Sequence, residues 1–159
     1  MSIRTDSVKA LVENPVFLSS VSSWFLAQLL KAVIVLLKGN KRSGRELFET
    51  IAWRTGGMPS SHAALVSSIA TSVAFQEGIS SNLFIVSFFF ALIIMRDAVG
   101  VRRSSGLQAR ALNLLGRQLQ EGPSKAEYHP VKEVHGHTPL EVVVGTFLGI
   151  FIAAAYAYL

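Results

Sequence analysis

Two histidines, one glutamate and a scattered set of cations carry most of the chemistry this chain could perform. His62 closes the run Gly56-Gly57-Met58-Pro59-Ser60-Ser61-His62, and His137 opens the run His137-Thr138-Pro139-Leu140-Glu141. In the first run, glycine lets backbone approach a ligand closely and Pro59 restricts the turn. Ser60 or Ser61 suits a helix N-cap, and the free N–H groups at such a start can bind an anion. His62 would stand over that anion as proton donor or acceptor. The plain alternative is a capped helix with an incidental histidine. In the second run, His137 and Glu141 are four apart and share a face if helical. A carboxylate beside an imidazole selects its tautomer and supports its positive charge, as a histidine nucleophile needs. The plain alternative is an ordinary i,i+4 pair, with Glu141 favoured by the helix dipole.

The elements that must position these groups are apolar helices. Of 159 residues, half are hydrophobic and 16% charged, which with four long apolar runs exceeds what one soluble core needs. The expected fold is all-α: a polytopic transmembrane bundle forming a single membrane domain over 1–159, with spans at about 17–37, 60–75, 82–101 and 139–159. The second is short and is expected to start inside a loop-lined pocket. Pro139 fits a first helical turn. Glu77 to Ser81 reads as a tight turn, Glu121 to Tyr128 as a loop broken at Gly122-Pro123. Leu107, Ala111, Leu112, Leu114, Leu115 and Leu119 have approximate helical spacing, so 105–120 is expected to be an amphipathic helix lying either on the bundle or at the lipid interface. Met1 to Pro15 lacks the apolar core of a signal peptide.

Charge orients the bundle. The net charge is +5, and twelve Lys or Arg fall in two connections, Lys38 to Met58 and Arg96 to His137. Basic residues placed between spans point to topology and anionic lipid rather than to nucleic acid. The positive-inside rule puts both connections in the cytoplasm, with the termini opposite, in a bacterial inner or an organellar membrane. All the chemical groups then lie at one end. His62 begins the second span, Asp97, Arg102 and Arg103 end the third, and His137 and Glu141 open the fourth. Lys31 lies about two turns inside the first. An intramembrane lysine faces a bundle interior as a functional group or snorkels to the headgroups. There is no cysteine, which excludes disulfides and thiolate metal sites. His62, His135, His137, Asp97 and Glu141 could supply ligands for Zn²⁺ or Mg²⁺, but their spacing matches no established motif. Gly145 and Gly149, extended by Ala153, allow close helix packing, within the bundle or between protomers.

Met58-Pro59-Ser60-Ser61-His62 together with His137-Thr138-Pro139-Leu140-Glu141-Val142-Val143-Val144-Gly145 resembles the type-2 phosphatidic acid phosphatase and vanadium-dependent haloperoxidase superfamily, in particular its divergent branch of small membrane proteins. Asp97-Ala98-Val99-Gly100-Val101-Arg102-Arg103 and the leading Gly56-Gly57 resemble that branch. The resemblance spans about 27–150. It implies phosphoester or diphosphate hydrolysis through a phosphohistidine without metal or cofactor, acting on a lipid phosphate. It assigns His137 as nucleophile, Glu141 as the residue that orients it, His62 as leaving-group acid, and Gly57, Ser60 and Ser61 as phosphate cradle. The chain departs from the superfamily pattern in three places. Pro-Ser-Gly-His is Pro-Ser-Ser-His. The lysine preceding Arg-Pro is absent, with Leu47 and Arg54-Thr55 there instead. Pro130 and Val131 stand where Ser-Arg would precede the nucleophile. Lys31 is a candidate to replace the lysine, and Arg96, Arg102 or Arg103 to replace the arginine. A non-catalytic protein that binds or moves anionic lipid in the same pocket is the competing expectation.

Overall fold

The computed structural model describes residues 2–37, 57–122, 127–133 and 136–159. Lys38, Lys41, Arg42, Arg45, Leu47, Arg54, Gly56 and His135 fall outside them. The described chain forms six helices: α1 (Ser2–Val12), α2 (Pro15–Leu37), α3 (Ser61–Glu77), α4 (Asn82–Val99), α5 (Val101–Glu121) and α6 (Pro139–Tyr158).

α2, α4 and α6 are long and apolar enough to cross a membrane. At 17 residues, α3 is about 25 Å long, short of the ~30 Å hydrocarbon core, but it is the centre of the bundle and packs against α2, α4 and α6. Its composition explains the position. Ser61, Ala63, Ala64, Ser67, Ser68, Ala70 and Ser72 are all buried, and small side chains let three neighbours approach one helix. The distribution of large residues is the reverse of a soluble domain. Ala27 and Ala64 are fully buried, whereas Phe89, Phe147 and Phe151 are exposed, the last at 71%. Such a surface is stable only against lipid.

Several of the serine hydroxyls find partners inside the bundle, although those of Ser20 and Ser68 have none among the described residues. Ser67 Oγ donates to the Ala63 carbonyl at 2.7 Å and to the Thr146 carbonyl of α6 at 3.1 Å. Ser23 Oγ reaches the Ala64 carbonyl at 3.2 Å, and Ser19 pairs with Ser72 at 2.7 Å. These contacts fix direction: α2 runs antiparallel to α3. α6 runs parallel to it, because Gly145 meets Ser60 and Gly149 meets Ala64. The two N-termini that carry the histidines therefore share one end. The Gly145 and Gly149 face is occupied within the chain, so of the two packing arrangements open to it, that inside the bundle is the one observed.

Several boundaries differ from the sequence reading, the second span among them, which runs Ser61–Glu77 rather than 60–75. The helix α1 is not predicted by that reading. The first span starts at Pro15 rather than 17, because Asn14 Oδ1 accepts from the N–H groups of Val16 at 2.9 Å and Phe17 at 3.3 Å. The third span ends at Val99, and the amphipathic helix begins at Val101 rather than 105, since only Gly100 interrupts the helical path. Arg102 and Arg103 thus belong to the first turn of α5. Nor does the leucine face of α5 rest on the bundle. Among the described helices α5 contacts only α4, and Leu107, Leu112, Leu114 and Leu115 are exposed.

Candidate active site

The site forms where the start of α3, the start of α6 and the end of α4 meet the middle of α2. Gly57 adopts a positive φ of 88°, and a cis Met58–Pro59 peptide comes next. The chain then passes into Ser60, whose hydroxyl accepts from Ala63 N–H at 3.3 Å as the N-cap of α3. Ser60 N–H donates to the Glu141 carbonyl at 2.9 Å, which ties this loop to the first turn of α6. The N–H groups of Ser61 and His62 are left over by the helix, as the first donors of any helix are.

Thr138 caps α6, with Pro139 in its first turn and Glu141 completing a capping box. Glu141 Oε2 accepts from Thr138 N–H at 3.1 Å and from His137 Nδ1–H at 3.0 Å. A carboxylate only accepts, so His137 carries its proton on Nδ1 and leaves Nε2 with a free lone pair. His137 lies before the helix rather than in it, so the i,i+4 pair arises from cap geometry. It is 3% exposed. Its own N–H donates to the Ala98 carbonyl at 3.0 Å, which pins it to the last turn of α4. Gly136 is seated against Arg103, where a Cβ would lie 2.3 Å from the Arg103 nitrogen. No side chain fits at that approach, a requirement that the sequence reading did not identify.

The two imidazoles face each other edge to face, with centroids 6.2 Å apart and planes inclined at 62°. Lys31 is buried at 3% exposure and donates from Nζ to Ser61 Oγ at 3.2 Å. It points into the bundle and does not snorkel. Of the three arginine candidates, Arg102 is the one near enough to act electrostatically on both histidines. Its Nε also pairs with Asp97 Oδ2 at 2.6 Å. Arg96 and Arg103 are exposed, and the structure joins neither side chain to the histidines. Burial pushes the His137 imidazole below its ordinary pKa and the charges of Lys31 and Arg102 push the same way, while the Glu141 carboxylate opposes them. The balance favours the neutral form of the His137 imidazole. Among the described residues no three His, Asp or Glu side chains gather as a metal site would require.

A membrane helix bundle with two histidines converging at the capped starts of two neighbouring helices defines the class of protein. The chain belongs to the Divergent PAP2 family, whose model matches residues 12–152. It is 37% identical over 158 residues to the uncharacterized membrane protein YuiD of Bacillus subtilis (strain 168), covering 93% of this chain and 97% of the relative. No solved structure matches.

Proposed function

We propose that the protein is a metal-independent lipid-phosphate phosphatase working through a phosphohistidine at the cytoplasmic interface of the membrane. The observation that carries this reading is the His62–His137 pair at 6.2 Å, with Glu141 on the Nδ1 side of His137. Nε2 of His137 attacks phosphorus, and the P–O bond to the leaving oxygen breaks as protonated His62 supplies its proton. Neutral His62 then takes a proton from water, whose oxygen attacks phosphorus and breaks the P–N bond, returning His137 and releasing phosphate. Lys31, Ser60, Ser61, Gly57 and the free N–H groups of α3 hold the phosphoryl oxygens, with Arg102 at the rim. A substrate reaching a site at this depth between helices is a phosphomonoester or diphosphate on a lipid.

The test is phosphate release from a panel of lipid phosphates by purified protein, with His137→Ala alongside. Release should disappear in the variant; release that persists rejects the mechanism. One observation favours a second reading, binding without turnover. Arg102 is committed to Asp97, which leaves Lys31 as the one buried cation among the described residues. Saturable lipid-phosphate binding without turnover, unchanged in His137→Gln, would establish that reading instead.

A further inference from the structure

The helix α5 has three distinct faces. Of its buried residues, Ala109, Asn113 and Gly116, the last two are covered by the returning segment 127–133. The Tyr128 ring fills the space a Gly116 side chain would need, and the Tyr128 hydroxyl bonds to Asn113 Oδ1. Asn113 also accepts from Val131 N–H at 2.8 Å, and its Nδ2 donates to the Val131 carbonyl at 2.9 Å and to Glu133 Oε1 at 2.8 Å. The leucines lie on the other side. At 100° per residue, Leu107, Leu112, Leu114, Leu115 and Leu119 span an arc of about 160°, and they are exposed by 50–61%. Along one edge of that arc Arg103, Arg110 and Arg117 recur every seven residues, without an ion pair among the described residues. Beside this row lies a groove of about 470 Å³ lined by Leu107, Arg110, Leu114, Arg117 and Glu133.

The chain thus backs α5 on the face away from its leucines and leaves the leucine face open. We infer that this arm docks in the plane of an anionic membrane leaflet. The leucines enter the acyl boundary, and Arg103, Arg110 and Arg117 take lipid phosphates, with Arg110 and Arg117 reading a headgroup in the groove. Three features select lipid over another occupant. α5 starts one residue after the last turn of the span α4, which places its beginning at headgroup depth. A basic row flanking an apolar arc is the charge pattern of a helix lying on anionic lipid. A second copy paired through the same leucines would bring two uncompensated arginine rows together. The docking is independent of turnover at the histidines.

The chain has no cysteine, so single cysteines can be introduced cleanly. Full-length Leu114→Cys, with Gln120→Cys as control, is spin-labelled and placed in nanodiscs of phosphatidylcholine alone or mixed with phosphatidylglycerol. In the mixture, the label at 114 should become accessible to oxygen and protected from a water-soluble nickel chelate, while that at 120 stays open to nickel. Docking should weaken about fivefold for each arginine removed in Arg110→Gln and Arg117→Gln, and with added salt in the unsubstituted arm. Nickel accessibility at 114 in both lipids overturns the proposal. So does protection that ignores salt and lipid charge and vanishes in discs holding one chain, the signature of a second copy.

Discussion

Glu141 holds His137 through the same carboxylate oxygen that closes the first turn of α6: Oε2 accepts at 3.0 Å from the imidazole and at 3.1 Å from Thr138 N–H. Helix capping and orientation of the His137 imidazole are thereby one structural act. The two can be separated by substitution. Glu141→Gln keeps an oxygen for Thr138 but loses the charge that supports an imidazolium, and should lower turnover by about 10²–10⁴-fold while leaving the fold intact. Thr138→Ala removes the cap hydroxyl, should cost about 1 kcal/mol, and should leave the folded fraction as active as the native protein. Phosphate release and thermal unfolding, measured on both variants, check the split.

The protonation of His137 gives a second prediction. Burial is the largest influence and lowers its pKa, Lys31 and Arg102 lower it further, and Glu141 raises it. Titration of labelled imidazole by NMR should place its midpoint below the ordinary histidine value. Glu141→Gln should move it lower still, and Lys31→Met should move it up. Because the folded state resists protonation, the unfolded chain binds this proton first as pH falls. The contribution to stability is full above the unfolded pKa and shrinks as pH drops toward the folded one. An acid-side loss of stability that His137→Gln does not reduce would contradict this.

Lys31 is visible in the sequence because a charge inside an apolar run is conspicuous, as are the cap at Ser60 and the Pro139 start of α6, which obey local rules. Gly136 is not, because its role is set by a close approach of Arg103 more than thirty residues away in sequence. Asn113 looks like an ordinary polar position on an amphipathic helix. Its three partners belong to a segment whose return path no periodicity reveals. The choice of Arg102 over Arg96 and Arg103 likewise waits on the break at Gly100, which sets the rotation of α5 relative to α4.

Buried Lys31 should be dispensable for the fold and needed for the ligand. Among the described residues its one hydrogen bond is to Ser61, and exchanging a buried charge for an apolar side chain of similar volume is often neutral or stabilising. Lys31→Met should therefore unfold at the same temperature as the native protein or higher. Its affinity for a lipid phosphate or for inorganic phosphate should fall about tenfold to a hundredfold, the loss of one or two charge-assisted hydrogen bonds. A variant that loses stability but keeps affinity would make Lys31 a packing residue only.

The glycines of α6 set how closely it can approach α3, and the obstruction there is backbone. A Cβ at Gly149 would lie 2.2 Å from both the Ala64 carbonyl and Ser67 Oγ, and one at Gly145 would lie 2.3 Å from the Ser60 carbonyl. Either Gly→Ala change should cost about 1–3 kcal/mol through overpacking. Trimming the neighbour should not help at 149: Ser67→Ala removes one clash and leaves the carbonyl in place, so the double variant should remain destabilised. The two positions should differ in function. Gly145→Ala displaces the residue that caps α3 and bonds to Glu141, so it should weaken phosphate binding in the protein that still folds. Gly149→Ala acts one turn deeper and should spare it. Unfolding in mixed detergent and phosphate binding, read on the same samples, distinguish this from a general loosening of the bundle, which would lower both quantities equally at both sites.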